Sequence, residues 1–204
     1  KPGEHNGKKY DSKRHYVTLT LNIDPAAANS SRTATLPDIP RPVTSFGGAI
    51  IGDDLYVYGG HEGEAHKYYA EGQSKSLWRL NLSGKPRWKE LSKGPALQGL
   101  AMVAHDGKLY RIGGFTAKNS QGEDHDLWSM PTVECFHPET GKWTSMPDLP
   151  EPRSSFDAAI DDEGKIYVIG GWQMSGDADR VWHKTAHVLD LSRENPMWQP
   201  LPEP

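Results

Sequence analysis

Cysteine is almost absent. Cys135 stands alone in 204 residues, so no disulfide can close within the chain. That leaves the redox compartment open, because an exported domain with a large core needs no cross-link. Long hydrophobic runs are missing too, and nothing approaches the roughly 20 apolar residues of a membrane-spanning helix. There is no basic excess: 23 Lys and Arg face 27 Asp and Glu, for a net charge of −4. That excludes the cationic stripe of a phosphate-backbone binder, so no nucleic-acid partner is expected. No stretch carries a convincing helical spacing of apolar residues. The chain opens at Lys1 without a methionine or a signal-peptide pattern, so a processed start or a section of a longer protein is expected.

What is abundant is turn chemistry and aromatic surface, with 21 Gly, 16 Pro, 7 Trp and 8 Tyr. These are arranged periodically. Leu55-Tyr56-Val57-Tyr58-Gly59-Gly60, Leu109-Tyr110-Arg111-Ile112-Gly113-Gly114 and Ile166-Tyr167-Val168-Ile169-Gly170-Gly171 each end a strand-like run in a glycine pair. A tryptophan follows each pair, at Trp88, Trp143 and Trp198, spaced 55 residues apart both times. Two independent markers on one period signal a repeat architecture.

Each repeat reads as four strands. The expected runs in the first are 46–51, 55–58, 76–82 and 88–91, and in the second 100–105, 108–112, 132–137 and 142–146. In the third they are 156–160, 165–169, 185–191 and 197–201. Asp106-Gly107 and Glu139-Thr140-Gly141 stand where tight connections are needed. Four-stranded units at this period read as propeller blades. The Gly-Gly after the second strand, the tyrosine three residues before it and the tryptophan of the fourth strand resemble the kelch repeat. The third unit, with Pro152-Arg153-Ser154-Ser155-Phe156 ahead of Tyr167–Gly171 and Trp198, resembles it almost throughout. The resemblance runs from about Pro40 to Pro204. The fold expected is all-β, a section of a kelch-type β-propeller.

The expected organisation is a polar segment over 1–13, the outer half of a preceding blade over 14–40, and blades over 41–95, 96–150 and 151–204. Tyr16–Asn22 alternates like a third strand, and Thr33–Pro40 resembles a fourth strand without its tryptophan. A closed propeller has about 4–8 blades. Three and a half leave open sheet faces, and two copies do not close cleanly. The expected partner is therefore the remaining blades, from the same or another chain.

In a propeller, the loops joining second to third strands share one face with the blade-to-blade connections. Here those loops, 61–75, 115–131 and 172–184, are long, and long loops are often functional. They carry His61, Glu62, His66, Tyr69, His125, Asp126, Trp172, Arg180, Trp182 and His183. These residues, with Arg153 near the channel opening, are the candidate ligand contacts. Aromatic rings would stack on a carbohydrate or peptide while carboxylates, Arg and His hydrogen-bond to it. The other reading is a set of solvated loops whose aromatics pack on one another. Arg153 either takes an anion or pairs with a neighbouring blade. The equivalent positions hold Val43 and Leu97, so the arginine ring of some peptide-binding kelch domains is not visible.

His61 with His66, and Asp124-His125-Asp126, supply metal-ligand types, but their spacings match no metal motif, so no metal and no cofactor are expected. The resemblance also implies an enzymatic alternative, since some kelch propellers are sugar epimerases or mutarotases and galactose oxidase has a kelch-like domain. The oxidase would need Cys135 as a cross-linked copper-site residue, but Cys135 reads as a core thiol within Val133–Phe136. For an epimerase, Glu62, His66, His125, Asp126, Arg180 and His183 offer acids and bases, and nothing in their order selects a pair. Asn29-Ser30-Ser31 and Asn81-Leu82-Ser83 fit the short glycosylation pattern. The resemblance is silent on compartment, while Trp, Gly and Pro content and the missing initiator lean toward a periplasmic or extracellular bacterial protein. The functional expectation is a recognition module for a glycan or a protein on the long-loop face.

Overall fold

The computed structural model describes residues 4–5, 8–9, 36–83 and 85–202. Two units divide the chain, Lys1–Thr35 and Leu36–Pro204. In the first, β1 (Glu4–His5) pairs antiparallel with β2 (Lys8–Lys9). The half blade expected over 14–40 lies outside the described residues as far as position 35.

The second unit contains three antiparallel four-stranded sheets. Blade one is β3 (Gly47–Ile51), β4 (Asp54–Tyr58), β5 (Ser76–Asn81) and β6 (Trp88–Lys93), hydrogen-bonded in that order. In blade two, β7 (Ala101–His105) and β8 (Lys108–Ile112) precede a small hairpin of β9 (Phe115–Ala117) and β10 (Leu127–Ser129). β11 (Val133–His137) and β12 (Lys142–Ser145) then complete the sheet. In blade three, β13 (Asp157–Ile160) and β14 (Lys165–Ile169) precede the hairpin β15 (Trp172–Gln173) and β16 (Val181–Trp182). β17 (Ala186–Asp190) and β18 (Gln199–Pro200) follow. Among the described residues no α-helix forms, and no helix is long and apolar enough to cross a membrane.

The expected loops over 115–131 and 172–184 are thus partly strand. Thr116 pairs with Trp128, and Trp172 with Trp182; the first hairpin and Trp172 cover an apolar cluster of their own, apart from the cores between the blades. That cluster is Phe115, Ala117, Leu127 and Met174, beneath Tyr68 and Trp172.

Strand alternation decides which neighbour each side chain meets. Tyr56, Tyr58 and Leu77 of blade one share a core with Leu100, Met102, Leu109 and Phe136 of blade two. Val103, Tyr110, Ile112, Val133 and Cys135 of blade two share another with Ile166, Val168, Leu189 and Trp198 of blade three. The Arg111 guanidinium lies 4.3 Å from the Tyr58 ring centre and 4.4 Å from that of Trp143, and pairs with Glu134.

Three backbone and side-chain ties recur between blades. Gly60 N–H donates to Leu97 O at 2.8 Å, and Gly114 N–H to Arg153 O at 2.9 Å. Gly99 N–H donates to Ser45 O at 2.7 Å and Ser155 N–H to Gly99 O at 2.8 Å, and all three residues share a left-handed φ of 51 to 60°. Each blade's tryptophan donates its indole N–H 51 residues back along the chain: Trp88 to Pro37 O, Trp143 to Ser92 Oγ and Trp198 to Pro147 O. The glycine pairs permit this approach. A Cβ on Gly59 would lie 2.4 Å from Leu97 O, and one on Gly113 2.6 Å from Arg153 O.

Candidate functional site

The long connections converge, and hydrogen bonds lock them together. Gln73 on the first loop donates its amide to Phe115 O at 3.2 Å and accepts Ala117 N–H at 2.8 Å. Buried Asn119 donates to Tyr68 O at 2.8 Å and accepts Asp126 N–H at 3.0 Å. Tyr68 N–H donates to His125 Nε2 at 3.2 Å, which places the proton of a neutral His125 ring on Nδ1. Blade two's hairpin reaches blade three through Ser129 N–H to Met174 O at 2.9 Å.

Between the first and second loops lies an open groove of about 270 Å³. Tyr68, Tyr69 and His125 form its aromatic wall, with Glu64, Lys67 and Glu123 among its polar lining. The wall is built from behind. His61 is 2% exposed and sits edge-on to Tyr68 and Tyr69, with ring centres 5.5 and 5.9 Å away. Its Nε2 lies 3.0 Å from Glu64 O, and a carbonyl only accepts, so the imidazole is protonated at Nε2. The remaining nitrogen, Nδ1, is buried without a partner among the described residues. Beyond His125 a smaller hollow of about 40 Å³, lined also by Leu127, Met174, Gly176 and Arg180, leads toward blade three.

The residues expected at the site fall into three places. Tyr69 and His125 line the groove. His61 lies behind its wall, where it positions two tyrosines and has no access to solvent. Exposed His66, at φ +64°, stands beside Tyr68. Glu62 pairs with Arg41 at 3.1 Å, and Asp126 accepts the Trp128 indole N–H. The second place is blade three's hairpin, where Trp172 and Trp182 stack at 4.7 Å and Arg180 lies 5.2 Å from the Trp172 ring centre. The third is the junction of blades two and three. Arg153 is fully buried there and points into the protein: it bonds Gly170 O, Thr185 O, Thr185 Oγ1 and Glu151. His183 Nε2 donates to Pro152 O at 3.0 Å. No metal-holding group of three or more His, Cys, Asp or Glu occurs among the described residues.

Sequence reasoning left out Tyr68, Glu64, Lys67, Glu123, Gln73 and Asn119 from the candidate contacts. Asn119 and Gln73 carry no local signal. Their role appears only when the neighbouring blade brings backbone groups within reach.

His187, 6% exposed at the same junction, has its pKa lowered below 6.5, first by burial. The Glu151 carboxylate 3.9 Å away raises it, while Arg153 and His183 lower it. A base with a depressed folded-state pKa is neutral in both states above about pH 6.5. Below that the unfolded chain takes up a proton that the folded chain refuses. Stability is therefore complete above about pH 6.5 and falls with acidification until the folded pKa is reached. The urea midpoint is expected to drop between about pH 7 and pH 5, and His187→Gln is expected to flatten that part of the profile.

Comparison with known proteins gives a consistent picture. The model of the KLHDC2/KLHL20/DRC7 Kelch-repeats domain matches residues 3–203. An N-acetylneuraminate epimerase of Pasteurella multocida is 29% identical over 160 residues, covering 76% of this chain and 38% of that protein. Kelch-like protein 33 of Homo sapiens is 33% identical over 138 residues, covering 67% and 23%. An N-(sulfonatooxy)prop-2-enimidothioate sulfolyase of Thlaspi arvense is 31% identical over 174 residues, covering 81% and 46%. The chain thus spans less than half the length of these relatives. Among solved structures, YjhT superposes with a TM-score of 0.64 at 20% identity, covering 83% of this chain and 54% of that one. At that identity the likeness speaks for the fold alone.

Proposed function

The chain belongs to the kelch-repeat family, and from that premise we propose that it is the recognition section of a propeller that binds a glycan in the groove between its first two long loops. One observation carries this reading: two tyrosines fixed from behind by a buried histidine, facing an open groove edged by Glu64, Lys67 and Glu123. Tyrosine rings present flat apolar area to the C–H faces of a pyranose, and carboxylate and ammonium groups at the edge bond its hydroxyls. A groove of about 270 Å³ suits one or two sugar units better than a broad protein surface.

Saturation-transfer NMR with a panel of free mono- and disaccharides tests it. At least one saccharide is expected to bind, and Tyr69→Ala to weaken that binding by about tenfold or more. A panel without a binder, or binding indifferent to Tyr69→Ala, contradicts the proposal.

The epimerase relatives support a second reading, in which this chain is part of a sugar-processing enzyme. Anomer or epimer exchange followed by proton NMR separates the two. A glycan that binds without turnover favours recognition, and turnover lost in Tyr69→Ala favours an enzyme that uses the same groove.

A further inference from the structure

The groove between the first two long loops is unevenly charged. Two of its lining groups could supply positive charge, and both are committed. Lys67 Nζ lies 2.9 Å from Glu64 Oε2. His125 Nε2 accepts the Tyr68 N–H, which only a neutral imidazole can do. No arginine is among the groove's lining residues. Those of the neighbouring connections are engaged: Arg41 pairs with Glu62, Arg153 is fully buried among its acceptors, and Arg180 lies over the Trp172 ring.

The carboxylates are not balanced in the same way. Glu64 is taken by Lys67, while Glu123 pairs with no Lys, Arg or His among the described residues. Its Oε2 accepts Ser120 N–H at 2.8 Å, and its own N–H donates to Ser120 O at 3.2 Å. That turn holds the carboxylate at the groove edge and leaves Oε1 without a partner among the described residues. The lining therefore carries one carboxylate more than it has cations, beside rings whose faces attract a cation. Buried His61 holds Tyr68 and Tyr69 in place, so a ligand does not have to order either ring.

We propose, resting on the reading of this groove as a glycan site, that its ligand is an amino sugar, a pyranose carrying a free ammonium group, and that Glu123 selects it. The sugar ring covers the tyrosine wall, and the ammonium pairs with Glu123 Oε1. One group on the ligand then answers both the unbalanced carboxylate and the negative ring faces. A neutral hexose keeps only the stacking. A uronic acid sets like charge against Glu123, and every cation of the groove is already engaged. An N-acetylated sugar is neutral at the same position.

Saturation-transfer NMR titrations of the whole chain at low salt test this. They compare glucosamine, galactosamine and mannosamine with their parent hexoses, the matching uronic acids and free lysine. An amino sugar is expected to bind about tenfold tighter than its parent, and the uronic acid more weakly than either. High salt is expected to shrink the gap. Glu123→Gln alters an exposed side chain and keeps an oxygen for Ser120 N–H, so the chain stays folded. It is expected to remove the amino sugar's advantage over its parent. A parent hexose that binds as well as its amino sugar, or an advantage that survives Glu123→Gln, overturns this assignment and leaves the glycan reading standing. Lysine binding as tightly as the amino sugar also overturns it, by showing that the charge is recognised without the ring. If no sugar binds, the glycan reading itself fails and the assignment with it.

Discussion

Alanine at Gly59 is expected to destabilise the protein far more than alanine at Gly170. The two glycines share a place in the repeat and a backbone, with φ of +67 and +66°. Gly170→Ala bears only the left-handed penalty of an L-residue, about 1–2 kcal/mol, because its Cβ would point into open space. Gly59→Ala bears that penalty and also drives a Cβ to 2.4 Å from Leu97 O, with Leu100 Cδ2 at 3.3 Å. The connection of blade two has to retreat, which strains the Gly60–Leu97 hydrogen bond and loosens the shared core. Overpacking of this kind adds about 1–3 kcal/mol. Urea unfolding of the two variants measures the difference directly. Equal losses would show that the connection yields freely and that blades one and two are not packed as described.

Arg153→Ala is expected to cost about 2–4 kcal/mol, from the lost hydrogen bonds and packing of a fully buried guanidinium whose charge partner, Glu151, is itself part-exposed. The guanidinium is fully buried and uses Nη1 on Gly170 O and Thr185 O at 2.9 and 3.0 Å. It uses Nη2 on Thr185 Oγ1 and Glu151 at 2.8 and 3.0 Å. Alanine leaves two part-buried carbonyls and the part-exposed Glu151 carboxylate without their donor and opens a void where the fully buried side chain stood. Lysine does not restore the loss, since one ammonium cannot span the same fork of acceptors. Arg180→Ala, at an exposed arginine on the neighbouring hairpin, serves as the control and is expected to stay within about 0.5 kcal/mol. Chemical denaturation of the three variants checks the order, and a mild Arg153→Ala would contradict the hydrogen-bonded network described around that residue.

The repeat was readable because its markers are local. A glycine pair after a strand and a tryptophan on a fourth strand keep their spacing whatever surrounds them, so the strand runs fall close to their expected limits. The hairpins inside the long connections were not readable, since Phe115–Ala117 and Leu127–Ser129 pair across a polar stretch and gain their core only from Tyr68 and Met174. The candidate groove lies within the region the sequence marks as long connections. Tyr69 and His125 were named and line the groove, but His61 and Arg153 were named with them and are buried. In sequence, a histidine or arginine that meets ligand looks the same as one that meets a carbonyl. Here the neighbouring blade decides between them.

Residue-resolved amide exchange at three equivalent glycines of this 204-residue chain tests most directly whether these are kelch blades stacked in one register, since among the described residues only the first two find an acceptor on a following blade. Gly60 and Gly114 donate to Leu97 O and Arg153 O inside blade interfaces, and are expected to exchange only on global unfolding. Gly171 is expected to exchange near the rate of an unprotected amide. Protection of all three alike, or of none, would contradict the account.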